Sequence, residues 1–101
     1  MPQGPIGVLQ TPSTGGTLTK LYINGAPVVV KPAKGMIARV VVIVAGAPGT
    51  VNDCATTAAV VTANEVSTIP ATIGPIVLEF PCLVGITVSP GAGQIVSVSY
   101  A

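Results

Sequence analysis

The run Met36-Ile37-Ala38-Arg39-Val40-Val41-Val42-Ile43-Val44-Ala45, closed by Gly46-Ala47-Pro48-Gly49, limits what this chain can fold into more than any other stretch. Six of its ten residues are Val or Ile, whose branching at Cβ stiffens χ1 and suits a pleated ladder better than a helix. It predicts a central strand roughly 30 Å long, at about 3.3 Å per residue. Apolar side chains follow one another without polar alternation, so both faces of this strand are expected to be covered.

The rest of the chain repeats the same grammar. Val, Ile and Thr supply 37 of 101 residues, and Gly and Pro another 22, spaced as punctuation between apolar runs. Short strands joined by turns need that balance. The length allows one core. The expected fold is all-β: a small two-sheet β-sandwich of immunoglobulin-like or jelly-roll type, with seven to eight short strands. Residues 1–16 read as an extended arm carrying three prolines and three apolar side chains, Ile6, Val8 and Leu9, and residues 17–101 as the sandwich domain.

Within the domain, Asn24-Gly25 between two β-prone runs predicts a hairpin, since both central residues of a type I′ turn need positive φ. Thr19, Leu21 and Ile23 then share one face, and Lys20 and Tyr22 the other, toward solvent or a partner. Thr50–Asp53 reads as a short strand returning beside the central one. The Ala/Thr-rich segment 54–64 reads as a short helix, with Asp53 as a possible N-cap, or as an irregular crossover. Four strands follow, at 65–69, 76–80, 84–88 and 94–100. In the last two-faced stretches, Ile76, Leu78 and Phe80 oppose Val77 and Glu79, and Val96, Val98 and Tyr100 oppose Ser97 and Ser99.

Chemistry is sparse. The chain has no His, which removes Ser-His and Cys-His nucleophile pairs and imidazole metal ligands. The carboxylates Asp53, Glu65 and Glu79 fall in separate segments, unsuited to a paired acid and base. The Gly-rich stretches 46–49 and 91–94 lack phosphate-loop spacing and read as hairpin turns. No catalytic, cofactor-binding or metal site is expected, and no small-molecule substrate. Cys54 and Cys82 are expected to be reduced and partly buried rather than joined in a disulfide.

Charge is the outlier, at 7% of residues with a net +1, against about 25% in a typical domain. Nucleic-acid binding is excluded by the absence of a basic cluster, and no stretch approaches the ~20 apolar residues of a membrane span. The opening Met1-Pro2-Gln3-Gly4-Pro5 lacks a basic and apolar leader, so cytoplasmic synthesis without a signal peptide is expected. With half its residues hydrophobic, a domain this small cannot bury all of them. Part of the surface is therefore expected to be covered by neighbours. Ile6, Val8, Leu9, Lys20, Tyr22 and Arg39 are the candidate assembly contacts.

Two stretches, GTVNDCATTAAVVTANEVSTIPATIG and LEFPCLVGITVSPGAGQIVSVSY, carry a family likeness over roughly residues 40–100. Their Asp53 after a short strand, Ala63-Asn64, Ile69-Pro70-Ala71-Thr72, Pro81-Cys82, Gly85-Ile86 and the closing Gly93–Tyr100 resemble small virion proteins of tailed bacteriophages, capsid decoration (cement) proteins most closely. The resemblance implies a homo-oligomeric (dimer or trimer) β-sandwich, assembled in the host cytoplasm. It would bind the major capsid protein on the outside of the head and stabilise subunit contacts. A tail, baseplate or head-fibre component is the alternative it leaves open.

Overall fold

Eight strands account for most of the chain described by the computed structural model, which covers residues 18–101. They are β1 (Leu18–Asn24), β2 (Val28–Lys31), β3 (Gly35–Val44), β4 (Gly49–Asn52), β5 (Glu65–Ile69), β6 (Gly74–Cys82), β7 (Ile86–Ser89) and β8 (Ile95–Tyr100). The expected arm, with Ile6, Val8 and Leu9, lies outside the described residues. Two four-stranded sheets form, in the orders β1-β8-β3-β6 and β2-β7-β4-β5. Every pairing is antiparallel, β1 with β8, β2 with β7, β3 with β6 and β4 with β5. A long hairpin rolled so that its first and last strands meet gives this nesting, the jelly-roll member of the two expected sandwich types.

The nesting overturns three local expectations for one reason. Except for β4 to β5, each connection carries the chain from one sheet to the other. Asn24-Gly25 therefore closes no hairpin. Gly25 has the positive φ of 68° that the pattern demands, but its N–H donates to the Gln94 carbonyl while β1 and β2 separate across the core. Likewise β4 does not lie beside β3; it sits in the opposite sheet between β7 and β5. The glycine loops at 46–49 and 91–94 are crossings too, and they interlock. Ala47 N–H donates to the Ala92 carbonyl at 2.9 Å, and a Cβ on Gly91 would collide with the Ala47 and Pro48 carbonyls.

Between the sheets lies an aliphatic core led by Ile23, Ile37, Val40, Val42, Ile86 and Val96, with Cys82 at its margin. In β3 the inward residues Val40 and Val42 are buried, while Arg39, Val41 and Ile43 are exposed. The expectation that both faces of this strand are covered is thus incorrect. The two layers take up all eight described strands, so among the described residues no element lies over the outer face of this central strand. Segment 54–64 forms two 3-10 turns, Thr57–Ala59 and Thr62–Asn64, neither capped by a side chain. The outer edges of the first sheet are both broken by bulges. In β1 the register slips between Lys20 and Ile23, with Tyr22 at φ 56°, and β6 carries an extra residue opposite Ile37 and Arg39, with Glu79 at φ 48°. Such kinks deny a neighbouring strand a flat ladder to extend.

Candidate interaction surface

Among the described residues, the outer face of β1-β8-β3-β6 is left unpartnered. Cross-strand register lines up its side chains in rows. Thr19 is opposite Ser99, Ser99 opposite Arg39, and Arg39 opposite Val77, while Ser97 is opposite Val41 and Val41 opposite Pro75. Val41, Ile43 and Val77 are 39%, 45% and 59% exposed, and Leu21 reaches 68%. The bulge decides Leu21. An extra residue between Lys20 and Ile23 reverses the alternation, so Ile23 goes to the core while Leu21 turns outward, against the expectation that the two share a face.

Small serines on β8 between larger side chains on β1 and β3 leave a trough of about 220 Å³ lined by Thr19, Leu21, Arg39, Val41, Ser97 and Ser99. Its polar groups are few. Ser97 Oγ accepts from the Tyr22 N–H at 3.4 Å, and Ser99 Oγ is buried with no partner. Covering Leu21, Val41, Ile43 and Val77, which are 39–68% exposed, would contribute on the order of 3–6 kcal/mol, taking about 1.5–3 kcal/mol for each fully exposed aliphatic side chain.

Of the candidate contacts read from sequence, Arg39 belongs to this face. Lys20 pairs with inward-pointing Val98 and so lies on the other side of β1 from Thr19, exposed at the sheet edge. Tyr22 is exposed within the bulge. Leu21, Val41, Val77 and the serine floor are additional. The signal for them is Arg39 itself: a charge inside the apolar run fixes which parity faces out, and Val41 and Ile43 share that parity.

A second exposed apolar group, Phe80, Leu83 and Val84, surrounds Asp53 at one end of the sandwich. Phe80 pairs with fully buried Ile37 and so keeps the inward face of Ile76 and Leu78, as alternation requires, but on the edge strand it is 42% exposed. Asp53 caps no helix. Its carboxylate accepts from the backbone N–H groups of Leu83 (2.9 Å), Val84 (2.8 Å) and Gly85 (3.2 Å), tying the exit of β4 to the β6–β7 turn. Desolvation pushes this carboxyl up, but the three N–H donors outweigh it and hold the pKa below the ordinary carboxylate range. The stabilisation is present above the unfolded pKa near 3.9 and is lost as pH falls through the lower folded value. Unfolding midpoints should therefore be flat from about pH 8 to 5, where no group of the ordinary His type titrates, and drop below about pH 4. In Asp53→Ala the domain is expected to lose about 2 kcal/mol at neutral pH and part of that acid limb. Thermal unfolding across pH measures both, and an unchanged acid limb in the variant would rule out this assignment.

Cys54 and Cys82 are buried free thiols. Burial pushes the Cys82 thiol up to about 11, with Asp53 and Cys54 adding to the effect, so it stays protonated and unreactive at neutral pH. Among the described residues no group of three or more His, Cys, Asp or Glu converges, and no helix is long and apolar enough to cross a membrane. No family model, curated protein or solved structure matches the chain.

Proposed function

We propose that this chain is a non-enzymatic structural protein of a tailed-phage particle, a decoration or cement protein that binds the outer surface of the head and bridges major-capsid subunits. The observation that carries the reading is the exposed, almost uncharged outer face of β1-β8-β3-β6. Soluble monomers seldom leave such a surface bare. The resemblance of residues 40–100 to decoration proteins supplies the particular partner. Jelly rolls recur in viral capsid proteins and also in lectins and cupins, so the fold permits this reading without selecting it.

Chemistry favours adhesion over turnover. The chain has no His and three carboxylates, and Asp53 spends its oxygens on backbone N–H groups. Association itself costs an estimated 4–15 kcal/mol, comparable to what this face contributes, so one copy on one site would bind weakly. Symmetric copies on a lattice add avidity without new contacts. A dimer or trimer of the chain on the head exterior meets that need, and scarce charge makes the contact insensitive to salt.

Quantitative mass spectrometry of purified particles tests the reading. Hundreds of copies per particle are expected, and particles lacking the chain should release DNA at a lower temperature. Six or twelve copies would move the protein to the tail or baseplate, and absence from particles would end the virion assignment.

A further inference from the structure

We infer that the charged end of the sandwich is a self-association surface, where the Pro32-Ala33-Lys34 turn of one copy seats in the hollow between Phe80, Leu83 and Val84 of a second, which returns the same contact. Among the described residues, the loops at the opposite end, 24–27, 45–48, 70–73 and 90–94, carry no charged side chain, whereas Lys31, Lys34, Asp53 and Glu65 all gather at this one. Leu83 is the most exposed large apolar side chain of the described residues, at 76%, and it shares with Phe80 and Val84 a hollow of about 310 Å³ that Asp53 and Glu65 also line. Three backbone N–H groups donating to Asp53 hold the Leu83–Gly85 turn in place. The wall is therefore preformed, which lowers the ordering cost of binding.

The matching half lies next door on the same chain. β2 ends at Lys31 beside Ile86, β3 opens at Gly35 beside Cys82, and a Cβ on Gly85 would lie 2.8 Å from the Lys31 carbonyl. The turns 32–34 and 83–85 are thus neighbours. Within one copy the first has no slack to enter the hollow, because the four steps from Lys31 to Gly35 reach about 14 Å at most and crossing between the sheets takes about 10 Å of that. Lys31 lies back against Gly35, where a Cβ would meet its Cδ at 2.9 Å, while Pro32, Ala33 and Lys34 are exposed. A proline ring and a methyl group suit a hollow about twice the ~150 Å³ that admits benzene, and Lys34 brings an ammonium group to the acidic rim. That complementarity of charge commits the hollow to a second copy. Both halves of the contact sit at one end, so a two-fold axis satisfies each of them and assembly closes at two copies. The outer face of β1-β8-β3-β6 stays uncovered, so this inference does not depend on the virion reading.

Sedimentation of the full chain over a range of concentrations should show a reversible equilibrium of monomer and dimer with a dissociation constant in the micromolar range. Lys34→Glu and Glu65→Lys should each raise that constant roughly tenfold, since either one turns two attractions into repulsions, and the two together should recover most of the loss. Leu83→Ser should abolish the dimer. All three positions are exposed, so unfolding midpoints should stay within a few degrees of the wild type, which separates a lost contact from a lost fold. A chain that stays monomeric at every concentration, that builds trimers or longer assemblies, or whose exchanged charges fail to restore the dimer would overturn the proposal.

Discussion

Gln94→Leu is expected to lower the unfolding temperature by about 12–24 °C, the shift that ~3 kcal/mol produces in a domain of this size. Gln94 is fully buried and nearly the shape of leucine, so packing changes little. What disappears is a clasp. Its Oε1 accepts from the Gly91 N–H at 3.2 Å and its Nε2 donates to the Pro70 carbonyl at 3.1 Å, joining the β7–β8 crossing to the β5–β6 connection. Two backbone groups lose their partners in a crowded place, at about 1–3 kcal/mol each. Gln94→Glu separates hydrogen bonding from shape. An ionised carboxylate still accepts from Gly91 but meets the Pro70 carbonyl without a proton to give. Burial raises its folded pKa above the unfolded value near 4.3, so the variant should come closest to the wild type below about pH 4 and fall behind it as pH rises through the folded pKa. A Gln94→Leu protein that melts within a few degrees of the wild type would remove the clasp from the account of this end of the sandwich.

Val77→Glu is expected to reduce binding to the particle surface by roughly 100-fold, about 2.7 kcal/mol, while leaving the fold intact. Val77 sits directly opposite Arg39 on the outer face, and an opposite-charge pair across strands contributes roughly 0.2–1 kcal/mol to the sheet. The same carboxylate, pressed against an apolar partner, must shed water without compensation. Val77 lines no part of the trough over β8, so the outcome reports on the wider face. Thr68→Glu, exposed on β5 of the other sheet, serves as control. Equal binding by both variants in a co-sedimentation assay with particles stripped of the native chain would place the contact elsewhere.

Class and strand content were legible in the sequence because β-branched composition and Gly/Pro spacing are local properties. All four strands after residue 64 fall where alternation put them, to within two or three residues at their ends. Pairing was not legible. Asn24-Gly25 carries the local signature of a hairpin, yet β1 finds its partner in the last strand and β2 in β7, a preference expressed only when the whole roll closes. The outward face was half legible. Ser97 and Ser99 marked the exposed side of β8, but the unbroken aliphatics of β3 hid their own parity, and only Arg39 betrays it. The two bulges were invisible, since neither Tyr22 nor Glu79 is a residue type that invites positive φ. The one at Tyr22 is what put Leu21 and Ile23 on opposite faces against the pattern.

The nested pairing also governs how the molecule can come into being. β8 is the last of the described strands to be synthesised, yet it lies between β1 and β3. Until the ribosome delivers it, two aliphatic strands made much earlier flank an empty slot, and half of the molecule cannot close. A nascent chain halted before Ile95 should therefore remain protease-sensitive and prone to clump, whereas emergence of residues 95–101 should complete the sandwich in a single cooperative step.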